Sequence, residues 1–144
     1  MHHREQAGAM AEQKRTIRVV AAIIERDGSR LATQRGYGEF EGGWEFPGGK
    51  VEPNETPEEA IVREIHAELN VDIAVKRHLV TVEHDYETFH LSMRCYVCSL
   101  LEDHITLLEH HAAKWLDSEK INSVDWLPAD TKVVDAILEA GLVS

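Results

Sequence analysis

The chain has 144 residues, 43% of them hydrophobic, and a formal net charge of −11, which suits one domain with a single core. That charge argues against duplex nucleic acid as a partner, because binding a phosphate backbone calls for a basic face. No run approaches the roughly 18 consecutive apolar residues of a membrane span, and no charged, apolar, small-residue leader is evident. The expectation is a cytoplasmic protein with no membrane partner, built as a flexible, partly vector-derived extension over 1–15 and one domain over 16–144. Residues 16–25 (TIRVVAAIIE) form a β-branched run of strand length, and Asp27-Gly28 behind them is a hairpin turn signal that returns 30–35 (RLATQR) as the partner strand. Arg18 within the first strand reads as a rim charge.

Residues 36–43 carry four glycines among eight positions and read as a loop, and from Trp44 the chain runs into the most informative stretch, 48–71 (GGKVEPNETPEEAIVREIHAELNV). Thr56 is set to cap a helix, with Pro57 at its first position and Glu59 three residues on to close a capping box. Over 57–69, Ile61, Ile65 and Leu69 recur every four residues and mark a buried stripe, while Glu64 and Glu68 stack one turn apart on a neighbouring face. Like charges so placed repel by roughly 0.2–0.5 kcal/mol. They are either a solvated acidic face or two oxygen ligands for Mg²⁺ or Mn²⁺, hard cations that share their shell with water and substrate phosphates.

Farther on, 71–82 contains a strand pattern, and 89–100 (FHLSMRCYVCSL) alternates Phe89, Leu91, Met93, Cys95 and Val97 toward one face, with the HDYET turn making a second hairpin. Cys95 and Cys98 are spaced as C-x-x-C, but residues three apart on a strand face opposite ways, and no helix start follows to acidify a thiol. Reduced core cysteines are the expectation. Residues 104–115 place Glu109 between a short strand and another beginning near Lys114, with His110-His111 as a polar loop pair and no zinc spacing. Residues 117–121 are expected to start a short helix. The last helix is expected to take Asp130 as cap, to bury Val133, Val134, Ile137 and Leu138, and to stop at Gly141.

Gly49, Glu55, Arg63, Glu64, Ile65, Glu68 and Val71 stand in the register of the Nudix box, so the chain resembles the Nudix hydrolases. Its 44–50 stretch, WEFPGGK, is similar to the MutT-type branch, and the likeness runs from about residue 19 to 137. Two positions depart. Asn70 stands where Gly ends the helix, a benign change, since Asn also accepts the left-handed conformation. Ala67 replaces the first Glu of the Glu-Glu pair, often a metal ligand in the family, which bears on the number and affinity of bound metals.

The resemblance implies an α/β fold, an α/β/α sandwich with a curved mixed sheet between the box helix and the C-terminal helix. It implies Mg²⁺, or Mn²⁺, held by Glu64, Glu68, Glu109 and the Gly48 carbonyl, with Glu64 or Glu109 as the catalytic base. Arg35 is implied as a contact for substrate phosphates, or else a surface residue. Lys50 meets phosphate or pairs with Glu52. Gly49, Glu55 and Arg63 are structural, an Arg63–Glu55 pair holding the loop against the helix start. The implied reaction is hydrolysis of a nucleoside triphosphate to the monophosphate and pyrophosphate by a monomer or homodimer. The alternatives are another diphosphate, such as a nucleotide sugar or isoprenoid diphosphate, and a non-catalytic nucleotide-binding module. Asp130 is either the helix cap or the residue that reads the base. An ionised Asp only accepts hydrogen bonds, which leans the reading toward CTP-like substrates and 8-oxo-dGTP over UTP.

Overall fold

The unbroken apolar run of the first strand is explained by its two covered faces. In the computed structural model, which describes residues 14–141, β1 (Arg15–Arg26) sends Val20, Ala22 and Ile24 into one buried cluster and Ala21 and Ile23 into another on the opposite side. The first cluster is closed by α1 (Pro57–Leu69) through Ala60, Ile61, Ile65 and Leu69, and the second by α2 (Pro128–Glu139) through Val133, Val134 and Ile137. Each fully buried Ile or Val contributes about 1.5–3 kcal/mol relative to exposure, so both helices are held mainly by these stripes. The layers are helix, sheet, helix, as expected.

The sheet connects differently from the simple hairpin reading. β2 (Ser29–Arg35) meets β1 only at Glu25↔Arg30 and Arg26↔Ser29, around a tight turn with Asp27 at φ 53° and Gly28 at φ 81°. β1 instead runs parallel to β6 (Phe89–Leu100) from Arg15↔Phe89 to Glu25↔Ser99. On its other side β1 takes β4 (Gly48–Lys50) through Val19↔Lys50, Val20↔Gly49 and Ala21↔Gly48. Beyond its turn β2 pairs with β3 (Trp44–Glu45) and with β7 (His110–Leu116), while β5 (Ile73–Asp85) pairs antiparallel with β6 at the far edge. A Cβ on Gly48 would lie 1.9 Å from the Val20 carbonyl oxygen, so only glycine lets β4 dock there.

α1 starts and ends as its sequence dictates. Thr56 accepts from the Glu59 amide, the Glu59 carboxylate accepts from the Thr56 amide, and Asn70 ends the helix in the left-handed region at φ 54°. Cys95 and Cys98 are buried free thiols in opposite clusters, as strand geometry requires.

Several local expectations are corrected. Residues 117–121 form turns, because the Asp117 side chain accepts from the Glu119 and Lys120 amides and no helix continues. Residues 104–109 form no strand: the Thr106 and Leu108 amides donate to the Leu69 and Glu68 carbonyls, satisfying the end of α1, and β7 begins at His110. Leu138 is 43% exposed, since at about 100° per residue it falls at the margin of the stripe formed by Val133, Val134 and Ile137. α2 is capped at Leu127 with no side-chain bond, so Asp130 is not its cap. The expected N-terminal extension lies largely outside the described residues.

Candidate active site

Two cavities adjoin across the Arg35–Glu45 ion pair. The larger, about 390 Å³, is lined by Lys50, Glu68, Glu109, His110 and residues 36–39 of the glycine loop. The other, about 140 Å³, is walled by Phe40, Phe46, Tyr86, Phe89, Leu127 and Asp130. Arg35, Glu45, Gly49 and Val19 line both.

The arrangement of the box residues follows from α1. Arg63 donates from Nε to Glu55 Oε2 at 2.6 Å and from Nη2 to Glu55 Oε1 at 2.9 Å, which pins the loop to the helix as expected and holds the Glu55 carboxyl down to about 2. It also binds the Lys50 carbonyl at 3.0 Å and Glu64 Oε2 at 2.8 Å, the latter not anticipated. Glu52 lies 3.8 Å from Arg63, so it is Arg63 that Glu52 approaches and not Lys50. Gly49 is packed against Glu64: a Cβ there would fall 2.3 Å from the Glu64 carboxyl carbon. Gly49 thus leaves room for the carboxylate.

Glu68 is the most perturbed of these groups. Its side chain is 13% exposed, and Oε1 is buried with no hydrogen-bond partner. Burial first, and then the neighbouring Glu64, Glu109 and Glu45 carboxylates, push its carboxyl up to about 9. Among the described residues, no three His, Cys, Asp or Glu side chains already stand close enough to enclose an ion. The donor chemistry nevertheless fits a hard divalent cation, because an orphaned carboxylate oxygen amid like charges is the environment such an ion relieves. Of the box positions, Glu68 lines the larger cavity, whereas Gly48, Glu64 and Ala67 line neither; Glu64 is 20% exposed against Gly49, and Ala67 is exposed on the helix.

Glu109 precedes β7, and its Oε1 accepts from the Tyr37 hydroxyl at 2.9 Å. Arg35 does not stand free: Nη2 and Nε bind Glu45 at 2.6 and 3.3 Å, and Nη1 donates to the Glu39 carbonyl at 3.2 Å. Lys50 is exposed at the rim of the larger cavity.

Asp130 corrects a second expectation. It is 5% exposed, one oxygen accepts from the Phe46 amide at 3.0 Å, and burial pushes its carboxyl up to about 8 against that bond. Burial thus favours the protonated acid, which both donates and accepts, over the acceptor-only carboxylate. The signal was present in the sequence, because 130, 133, 134 and 137 are spaced i, i+3, i+4, i+7 and share one buried face.

Sequence reasoning missed Glu45, His110, Tyr37 and the aromatic wall. His110 is no loop residue. Its side chain is 6% exposed, Nε2 lies 3.7 Å from Glu68 and 3.9 Å from Glu45, and burial keeps the imidazole on the neutral side. Phe40 packs on Tyr86 with centroids 5.5 Å apart, and Tyr86 stacks on Phe89 at 4.9 Å. Tyr86 and Phe89 meet locally around the turn between β5 and β6, but Phe40 reaches them from the glycine loop, a contact that no local spacing announces.

Comparison with known proteins places the geometry. Residues 14–137 match the NUDIX domain. The chain is 37% identical over 125 residues to a CTP pyrophosphohydrolase from Escherichia coli (strain K12), a match covering 85% of this chain and 91% of that one. It is 34% identical over 95 residues to an 8-oxo-dGTP diphosphatase from Proteus vulgaris, covering 65% and 85%. The solution structure of the E. coli ORF135 protein superposes with a TM-score of 0.77 at 31% identity, covering 89% of this chain and 92% of that one. No helix among the described residues is long and apolar enough to cross a membrane. With the box in register on α1, the carboxylates beside Gly49 and this match over most of its length, the chain belongs to the Nudix hydrolases and is a Nudix pyrophosphohydrolase.

Proposed function

We propose that the protein is a MutT-type enzyme that hydrolyses CTP-like nucleotides and 8-oxo-dGTP to the monophosphate and pyrophosphate, with Mg²⁺ or Mn²⁺ as its cofactor. The observation that carries the reading is the pair of adjoining cavities, one ringed by carboxylates and one apolar with a single neutral acid. The phosphate chain suits the first and the base the second.

Nudix hydrolases generally use divalent metals. Glu64, Glu68, Glu109 and the Gly48 carbonyl would hold the ion, which when bound supplies neutralisation of phosphate charge and acidification of water. Arg35 is held along its Nε/Nη2 edge by Glu45 and through Nη1 by the Glu39 carbonyl, so a phosphate would meet it by replacing the Glu39 bond. Lys50 adds a second cation at the same rim. Glu64, steadied by Arg63, or Glu109, steadied by Tyr37, takes the proton of the attacking water.

For the base, a neutral Asp130 complements any edge that sets a donor beside an acceptor. The amino group and N3 of cytosine form such an edge, and so do N7–H and O6 of 8-oxoguanine and N3–H and O4 of uracil, so Asp130 by itself does not set CTP above UTP. The names of the two relatives support these substrates.

The test is pyrophosphate release from CTP, 5-methyl-dCTP, 8-oxo-dGTP, dGTP and UTP, each with and without Mg²⁺. Metal-dependent release from CTP or 8-oxo-dGTP is the expected result. Turnover of none of the five would overturn the reading and turn attention to non-catalytic binding or other diphosphates.

A further inference from the structure

We infer that residues 36–43 form a mechanical link between the base cavity and the phosphate cavity, with Tyr37 as the positioning residue that carries occupancy of the first to Glu109 in the second. The inference rests on the two-cavity reading above and assigns to this loop a role that the box residues do not supply.

The loop is bonded to itself. The Arg35 amide donates to the Gly43 carbonyl and the Gly42 amide to the Arg35 carbonyl, both at 2.9 Å, and the Gly43 amide donates to the Phe40 carbonyl at 3.0 Å. Gly38, Phe40 and Gly42 all adopt positive φ, at 78°, 69° and 91°. For Phe40 this is a sparsely populated conformation that the closed loop enforces, and it turns the ring toward Tyr86. A segment so closed moves as one body more readily than it bends.

That body is tied to the residues around Glu109 at three points. A Cβ on Gly36 would lie 2.4 Å from the Glu109 carbonyl oxygen, so the two backbones are in direct contact. The Tyr37 hydroxyl donates to Glu109 Oε1 at 2.9 Å, and His111 Nε2 stands 3.0 Å from Glu41 Oε2. At the other end Phe40 lines the base cavity, 38% exposed and packed on Tyr86. A base entering against Tyr86 and Asp130 must displace or engage Phe40. The loop then shifts, and Glu109 shifts with it. A correct base would therefore be recognised partly in kcat, through placement of Glu109, and not only in binding.

The experiment uses Tyr37→Phe, which removes one hydroxyl and keeps the ring. In nucleotide-free protein, amide exchange over 108–111 should quicken about fivefold, the worth of one hydrogen bond, while β5 and β6 exchange as before. With CTP and Mg²⁺, kcat should fall about fivefold at unchanged KM, and Tyr37→His, which restores a donor, should recover part of it. Combined with Phe40→Ala, the effects on the kcat ratio of CTP to UTP should be less than multiplicative. Unchanged exchange over 108–111, or strictly multiplicative effects, would overturn the link. Quickened exchange in a protein that hydrolyses none of the triphosphates would leave the link standing and reject the proposed substrates instead.

Discussion

Each helix carries one carboxyl displaced far from its ordinary range, and the two are displaced for different reasons. Glu68 on α1 is raised from 4.5 to about 9 by burial and by Glu64, Glu109 and Glu45 beside it, with one oxygen left unpartnered. Asp130 on α2 is raised from 3.8 to about 8 chiefly by burial in an apolar wall, and the Phe46 amide opposes the shift. The first is a group that a cation would ionise. The second is favoured in its neutral form by its surroundings, as the proposed reading of the base requires. A raised pKa alone does not tell a ligand from a reader; the balance of neighbouring charges does, all negative around Glu68 but of both signs, Glu45 and Arg35, around Asp130.

The strongest way to break this comparison is to remove the charge from the acidic side. Glu64→Gln should lower kcat at least about a hundredfold with the melting temperature preserved, since an oxygen ligand and candidate base is lost without a change of volume. Near-normal turnover of CTP would remove Glu64 from the chemistry.

The reader side should respond to hydrogen-bonding capacity and not to charge. Asp130→Ala should lower kcat/KM for CTP roughly tenfold to hundredfold, the cost of leaving a polar edge unpaired. In the native chain CTP hydrolysis should decline above pH 8 as the Asp130 donor ionises. Asp130→Asn, a permanent donor and acceptor, should keep most of the activity and lose that decline. Equal weakening of every nucleotide by Asp130→Asn would reduce Asp130 to a packing residue.

Both carboxyls also make a stability prediction with a definite sign. Their folded values lie above their unfolded ones, so from about pH 4.5 to about 9 the folded chain holds protons that the unfolded chain has released. Metal-free protein should therefore lose stability as pH rises through that window. Thermal melts should show a drop of several degrees, and Glu68→Gln and Asp130→Asn should each flatten it. Mg²⁺ should restore stability at the alkaline end for the native chain but much less for Glu68→Gln, which separates ligand from reader within one titration.

The smallest expected effect is at Ala67. Because it is exposed on the helix, Ala67→Glu should tighten Mg²⁺ binding only a few-fold by adding charge near Glu64 and Glu68. An unchanged Mg²⁺ titration would place that position beyond the reach of the ion.

What the chain determines locally is α1 with its cap, its box and its end, and the turn at Asp27-Gly28. Thr56, Glu59, Asn70 and Gly28 act through bonds and dihedrals within a few residues of themselves, so spacing alone exposes them. The stack of Glu64 over Glu68 is equally local, which is why the acidic half of the site was legible before any fold was known. Tertiary structure alone decided that β1 would lie parallel to β6 and touch β2 only at the turn, and so which walls enclose the two cavities. It also decided that Glu45 would hold Arg35, that His110 would be buried beside Glu68, and that Phe40 would meet Tyr86. Asp130 stands between these cases: its helical spacing announces a buried face, but its neutral state arises only when Phe46 and the aromatic wall exclude water from it. Charge state depends on solvent, and solvent is excluded by partners that no local stretch of sequence contains.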